Sequence, residues 1–495
     1  MAQHAISERQ KQYLQEARRG EAYGVFRALQ GLVLREDPGK REPLSPEWRQ
    51  LWEGAREPAL RAFGGPPGWV EEIDKAILAI PLVDPDILQV RLVDGQKVAL
   101  LLGAGASAPD PSSIPTVNGL LPELWRRAKK LGREDIDGLA EWCEAANVTN
   151  IEDLLTAAYV ANFAATNTSV TGLLDYFLFR VARAEAEEES SLGRRRRGSM
   201  PRVNAASVAL LQDTLQTLFG LLMGTMIPAK PNAAHKAVAH FVRSHGATSI
   251  ITTNYDGCID EALETAKLGY NTFMAEGGQS PEQSEVALIK IHGSINWSYC
   301  DSCQEAREFK LLSLKETYEK DTQSYPVIGI CKTCGGQRRP LLVPPMGFKF
   351  IMFPNLISLW ETARQRIEQA HYLVVVGYSF SEADTYLSKI ISRSMTKNIE
   401  QRIIVCDPNA SLADSLRNRF AAHIDGFDPR RVLQAAGPCE EHLGQILLSF
   451  VSNSAADRAP LHAETKPALA EGVSSSEGPA PKPGVHRRKR QRQGK

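Results

Sequence analysis

Five segments of this chain are apolar over nearly their whole length and then stop at a glycine or a polar residue. They are "KVALLLGAGAS" (97–107), "TSIITTN" (248–254), "VALIKIHG" (286–293), "HYLVVVGYSF" (371–380) and "QRIIVCDPN" (401–409). A strand exposed on one face alternates apolar and polar residues. An unbroken apolar run is buried on both faces, as in a parallel sheet with helices on either side. The stretch "EADTYLSKIISRSM" between the last two runs has helical spacing, so strand, helix and strand follow one another. An α/β fold with a parallel, doubly covered sheet is expected. Polar residues gathered at the carboxyl ends of such strands are where open α/β sheets bind ligands.

The 495 residues exceed one ordinary domain and are divided here into three regions. Residues 1–92 read as a helical N-terminal region without a chemical motif, and 93–450 as the domain built on the apolar strands. Within that domain, 120–245 form a helical insertion containing a charge-segregated loop, "AEAEEESSLGRRRRGSMPR" (184–202). Residues 451–495 are rich in Ala, Pro, Ser and charge, and are expected to form a disordered basic tail. Lys and Arg balance Asp and Glu at 58 each, so no global field favours nucleic acid, and only the tail is a candidate for that contact. The N-terminus lacks the apolar core of a secretory signal. The most apolar helical stretch, "LLQDTLQTLFGLLMGTMIP", is broken by Gln, Asp and Gly and is too short to span a bilayer. A soluble, cytoplasmic chain without a membrane partner is expected.

Gly103-x-Gly105-x-x-Ala108 after the first strand fits the loose dinucleotide fingerprint, in which glycine lets the backbone approach a pyrophosphate. Pro109, Pro111 and Pro115 interrupt the helix that should follow, and the acidic residue at the expected distance, Glu123, lies in a helical pattern. These departures exclude an ordinary dehydrogenase. They leave open a dinucleotide held beneath a Pro-rich loop. Gly377 permits close approach of a ligand, Ser379 offers a hydroxyl, and Asp407 can accept from ribose hydroxyls. His292 stands at another strand end. His235, His240 and His245 are spaced by five residues, which rotates them around a helix, so they are read as structural.

Cys300-x-x-Cys303 and Cys331-x-x-Cys334 have the spacing of two zinc knuckles, against the alternative of two unrelated pairs of reduced thiols. Four thiolates close a structural site. The separation between the pairs predicts an inserted hairpin within a module spanning about 297–340. Cys143, Cys258, Cys406 and Cys439 read as ordinary residues.

The order of these motifs resembles the sirtuin, or SIR2, superfamily. "GAGAS" (Gly103–Ser107), "TNYD" (Thr253–Asp256), "HG" (His292–Gly293), the cysteine pairs and "GYS" (Gly377–Ser379) occur in its sequence order. "ITTNYDGCIDEAL", "IKIHGSINW", "LLVPPMGFK" and "VVVGYSFSEAD" look more like the bacterial-type SIR2-like branch than like deacetylase sirtuins. The resemblance covers roughly 96–420. It implies a Rossmann-like sheet with a helical insertion and a small four-cysteine zinc module. It also implies that NAD+ is bound as substrate and that its nicotinamide–ribose bond is broken. By carry-over, Gly103, Ala104, Gly105, Ser107, Thr253, Asn254, Asp256, Gly377, Ser379 and Asp407 would bind NAD+. Asn254 would position ribose or an attacking water, Asp256 would hold the nicotinamide carboxamide, and His292 would be the general base. The alternative for Asn254 and Asp256 is a strand-end turn with a helix cap.

Cleavage leaves the acceptor open. Water would give an NAD+ hydrolase. Acyl-lysine would give a deacylase. A third reading is a non-catalytic module that senses NAD+ or ADP-ribose. The chain has "SSIPTVNG" where deacylases carry Gly-Ile-Pro-Asp-Phe-Arg, and Thr253 where they carry Gln, while "PLLVPPMGFKFIMFPN" lacks their peptide-gripping loop. These departures favour hydrolysis, whereas the four cysteines favour the deacylase. The resemblance further implies an association with defence systems that deplete NAD+. The N-terminal region is then a candidate for self-association or for a regulatory partner that restrains turnover.

Overall fold

The computed structural model describes residues 8–451 apart from 18–21, 35–43, 45–46, 64–67, 79–82, 94, 167–204, 246–247, 274–285, 301, 321–324, 326, 345–352, 354–355 and 381–383. The charged loop expected at 184–202 and the tail beyond 451 lie outside the described residues.

The five apolar runs form strands β1 (Val98–Leu102), β2 (Thr248–Thr252), β4 (Val286–Lys290), β9 (Tyr372–Val376) and β10 (Arg402–Asp407). With β3 (Tyr270–Asn271) and β11 (Val432–Ala436) they make a seven-stranded sheet in the order β11-β10-β9-β1-β2-β4-β3. Every pair in it is parallel. Apart from the short edge strand β3, this is the order of a doubly wound Rossmann-like sheet. The chain travels outward from β1 through β2 and β4, then returns to β9 on the other side of β1. The crevice at the carboxyl ends of β1 and β9 is therefore the topological switch point.

Alternate residues of each strand serve opposite faces, and both faces are dry. Ala99, Leu101, Leu373 and Val375 join one hydrophobic cluster, while Val98, Leu100, Leu102, Val374 and Val376 join another. The first face is covered by helices Leu356–Gln369, Thr385–Lys397 and Leu412–His423. The helical insertion, with helices Val117–Lys130, Asp137–Ala145, Ile151–Thr166 and Ala205–Met226, adds to that same cluster. The second face is covered by Ala233–His245, Cys258–Thr265 and Cys439–Val451. No helix among the described residues is long and apolar enough to cross a membrane.

A second, antiparallel sheet orders β6 (Ala306–Glu308), β5 (Gly293–Cys300), β8 (Gln337–Leu342) and β7 (Gly329–Ile330). β5 starts directly after His292 and ends at Cys300, so one strand links the histidine to the cysteine module. Gly293 has φ +86°, and a Cβ there would stand 1.9 Å from the Leu341 carbonyl oxygen, which demands glycine at this corner. Between the cysteine pairs lies helix Leu311–Lys320 flanked by short strands, where the spacing predicts a hairpin. Leu311 and Leu314 are buried in the main core, so tertiary packing supports a helix here.

Helices Glu8–Ala17, Ala22–Leu29, Glu47–Phe63 and Trp69–Leu78 bury a separate cluster that includes Trp48, Trp52 and Trp69. Residues 83–92 pack elsewhere. Val83 bridges Ala435 of β11, and the Leu92 N–H donates to the Phe450 carbonyl at 3.1 Å.

Candidate active site

At the switch point the glycines meet each other. The Gly103 N–H donates to the Val376 carbonyl at 2.9 Å, and the Gly105 N–H to the Gly377 carbonyl at 2.8 Å. A Cβ on Gly103 would lie 2.5 Å from that Gly377 oxygen, and one on Gly377 (φ +59°) would lie 2.4 Å from the Ala106 nitrogen. The sequence predicts that missing side chains here clear room for a ligand. In the structure that room is occupied by the neighbouring loop's backbone. These glycines let the β1 and β9 turns seat on one another. Ala104, half-buried, opens a single 3₁₀ turn, Ala104–Ala106, that leads to Ser107.

Two segments converge on Ser107. From the end of β2, Asn254 Nδ2 donates to the Gly103 carbonyl at 2.9 Å and to Ser107 Oγ at 3.1 Å. From helix Ala233–His245, the His235 ring places Nε2 3.2 Å from Ser107 Oγ. Asn232 caps that helix, its Oδ1 accepting from the Ala234 and His235 N–H groups, while its Nδ2 donates to the Ala106 carbonyl at 2.8 Å. Burial holds the His235 ring below its ordinary pKa, against the opposing charges of Asp256 and Asp260. Sequence spacing among the histidines did not reveal this residue. The signal that could have found it is "PNAAH", a cap asparagine three residues before a histidine at a helix start.

Thr253 continues the hold of β2 on β1, its N–H donating to the Leu102 carbonyl at 3.1 Å. Thr252 Oγ1 accepts from the Asn254 N–H at 3.0 Å. Asp256 is buried, and its Oδ1 accepts from the Cys258 N–H at 2.9 Å, at the start of helix Cys258–Thr265. That is cap geometry. Asp407 ends β10, where its Oδ1 accepts from the Asn409 N–H at 2.8 Å and burial raises its carboxyl pKa. Ser379 is exposed beyond the β9 turn.

His292 follows β4, the strand beside β2, so it and Asn254 stand at the carboxyl ends of neighbouring strands. Its ring is buried, and Nε2 lies at ion-pair distance, 3.4 Å, from Asp384 Oδ2. Tyr378 Oη donates to the same carboxylate oxygen at 3.1 Å, and Trp360 flanks the imidazole at 5.9 Å between centroids. Asp384 comes from "SFSEAD" and was not singled out in the sequence, since one acidic residue after a turn looks like any helix cap.

Under this corner Lys290 is wholly buried. Its ammonium donates to Asp260 Oδ2 at 2.7 Å, Ser294 Oγ at 2.7 Å and the Asp256 carbonyl at 2.8 Å. Three donors meet three acceptors, so the charge is fully engaged. The network ties the ends of β2 and β4 together, which fixes the spacing of Asn254 and His292.

The ligand atoms of Cys300, Cys303, Cys331 and Cys334 all lie within 4.8 Å of one another. Cys300 and Cys334 sulfurs are 3.4 Å apart, and those of Cys303 and Cys331 are 3.8 Å apart. A tetrahedral Zn²⁺ with Zn–S near 2.3 Å requires sulfur separations of roughly 3.8 Å. The donor set and spacing therefore fit zinc. The other four cysteines are buried, and burial pushes the thiols of Cys143 and Cys439 up to about 12.

No curated protein sequence matches this chain significantly. Among solved structures it is similar to a Sir2 homologue in complex with NAD, at 19% identity over 74% of this chain and 92% of the other, with a TM-score of 0.39. It is also similar to a Sir2 homologue mutant in complex with ADP-ribose, at 18% identity over 74% and 95%, with a TM-score of 0.38. The model of the SIR2-like domain matches residues 248–425, which hold Asn254, His292, the four cysteines and Asp384. Over residues 248–425 the chain is thus similar to the SIR2-like domain family.

Proposed function

We propose that this protein binds NAD+ at the β1–β9 switch point and hydrolyses its nicotinamide–ribose bond. The observation that carries this reading is the pairing of Asn254 and His292 on adjacent strand ends, with Asp384 behind the imidazole. Nicotinamide departs with the bonding electron pair, and positive charge develops on the ribose carbon. A water then adds to that carbon and loses one proton. Asn254 spends both amide hydrogens on Gly103 and Ser107, so its Oδ1 is the atom left to accept a hydrogen bond from water or a ribose hydroxyl. His292 takes the proton, and Asp384 stabilises the imidazolium so formed. The products are nicotinamide, ADP-ribose and a proton.

The four cysteines would hold Zn²⁺ as a closed structural site. It would brace β5 and β8, and so the corner bearing His292, without entering the reaction. The same module favours the second reading, an NAD+-dependent deacylase in which an acyl-lysine oxygen replaces water. Nicotinamide release by the purified chain, with and without an acylated peptide, separates the two. Release without peptide is expected. Strict dependence on peptide moves the assignment to the deacylase, and binding without release moves it to a sensor.

A further inference from the structure

The corner where β2 ends holds more negative charge than its cations balance. Asp256, Asp260 and Glu261 lie along the turn and the first turn of helix Cys258–Thr265, and two ammoniums face them. Lys290 donates to Asp260 Oδ2 at 2.7 Å, and Lys315 pairs with Glu261. Asp256 is left without a cationic partner among the described residues, although it is only 4% exposed. Asp260 Oδ1 is likewise buried and accepts no hydrogen bond. His235 adds no positive charge, because burial holds its ring below the ordinary pKa. A buried carboxylate in that state calls for a cation. Ligands for one are in place. His235, Asp256 and Cys258 each present a donor atom, and the three atoms lie within 4.8 Å of one another. All three side chains are buried. Magnesium and calcium take oxygen ligands, whereas a nitrogen, an oxygen and a sulfur together suit the zinc class of ions.

We propose that His235, Asp256 and Cys258 form a second metal site, which takes an exchangeable thiophilic divalent cation and, when filled, excludes the nicotinamide end of the dinucleotide. The exclusion rests on the proposed function, in which Asp256 holds the nicotinamide carboxamide; the binding of the ion does not. On binding, the Cys258 thiol gives its proton to solvent, and the thiolate, the Asp256 carboxylate and one ring nitrogen donate lone pairs. No electron is transferred. The two positive charges of the ion balance the thiolate and Asp256, so the corner becomes neutral. Both contacts of the ring are long, 3.3 Å from the Asn232 N–H to Nδ1 and 3.2 Å from Nε2 to Ser107 Oγ, so either nitrogen becomes a ligand at the cost of one weak hydrogen bond. Three protein ligands leave a fourth position for water. Burial also pushes the Cys258 thiol well up, which makes this site weaker than the four-cysteine one. The ion is therefore lost on purification while the structural zinc stays.

Titration of Co²⁺ into the full chain, with its four-cysteine site already filled by Zn²⁺, tests the site. Cobalt uptake is expected to produce a thiolate-to-metal charge-transfer band while elemental analysis shows the zinc retained. Cys258→Ser should abolish the band. Cys258→Ser and Asp256→Asn should each weaken Co²⁺ binding at least about tenfold, since even an outer partner of a metal ligand is worth 10–100-fold. No uptake by the wild type, or a band that survives Cys258→Ser, overturns the site. If Cys258→Ser does not fold, His235→Gln must weaken Co²⁺ binding by the same margin, and unchanged affinity there overturns it equally. Exclusion is read by repeating the titration with NAD+ at concentrations that calorimetry shows to saturate the chain. Weaker Co²⁺ binding is expected, and unchanged binding overturns the exclusion. A chain that does not bind NAD+ at all overturns the proposed function and the exclusion together, and the cobalt band, recorded without dinucleotide, still decides the site.

Discussion

In the proposed reaction Asn254 and His292 do different kinds of work, and substitution should separate them from the residues that merely hold them. Removing one preorganised group around a developing charge costs on the order of 10²–10³ in rate, and a general base about 10²–10⁴. Asn254→Ala and His292→Ala should each lower nicotinamide release at least about 100-fold, with melting temperature within a few degrees of wild type. A large fall in melting temperature would make them structural instead. Lys290 is expected to behave in the opposite way. Its side chain is 0% exposed and pairs with Asp260, also 0% exposed. Lys290→Ala leaves a buried carboxylate uncompensated, which costs roughly 3–5 kcal/mol. Chemical denaturation would register that loss directly, and an unchanged midpoint would contradict the pairing. His235 adds a pH dependence. Burial lowers its folded pKa below the unfolded value of about 6.5, so below that pH the unfolded chain gains a proton that the folded chain resists. Stability should therefore fall between about pH 7 and 5, and His235→Gln should flatten part of that fall.

Elements were easier to read from the sequence than the contacts between them. Each unbroken apolar run became a central strand, because a segment dry on both faces has few alternatives in a chain of this size. The polar strand ends followed from the same runs, which is why Asn254 and His292 were legible. Gly103 and Gly377 are legible as strand-end glycines, and the packed turns add a reason that the sequence does not carry. Asp384, Asn232 and Lys290 escape the sequence because each acts through a partner 30 or more residues away, and a single sequence carries no signal for such pairing. The cysteine spacing was legible since the ion's geometry imposes it locally, whereas the helix between the pairs depends on Leu311 and Leu314 reaching a distant core. Elemental analysis should find one zinc per chain. Cys334→Ser or strong chelation should release it and unfold β5–β8, since structural zinc contributes apparent binding energy of ~10–16 kcal/mol in small sites. An unchanged metal content after Cys334→Ser would mean that zinc sits elsewhere.

At the scale of the whole molecule, the N-terminal helices and the sheet body bury different cores, and the joint between them can be located. The buried members of the N-terminal cluster run from Leu14 to Ile77. Ile87 and Val90, on and just after the short helix Pro85–Gln89, belong instead to the core beneath β1, β9 and β10. Asp84 reinforces that allegiance, its N–H donating to the Gln434 carbonyl at 2.9 Å, and Arg91 reaches the Ser449 carbonyl at 2.8 Å. We therefore place the boundary near residue 80, so that 83–92 is a clasp of the sheet domain. Two truncations distinguish this from a boundary at 92. A chain starting at residue 79 should keep the melting transition of the sheet body. One starting at 93 should lose stability, because burying a side chain such as Ile87 or Val90 contributes about 1.5–3 kcal/mol each. Equal transitions in the two would show that the clasp contributes nothing. The shorter deletion also tests restraint. If the N-terminal helices hold NAD+ turnover in check, the chain starting at 79 should release nicotinamide faster than the intact protein, and equal rates would remove inhibition from their role.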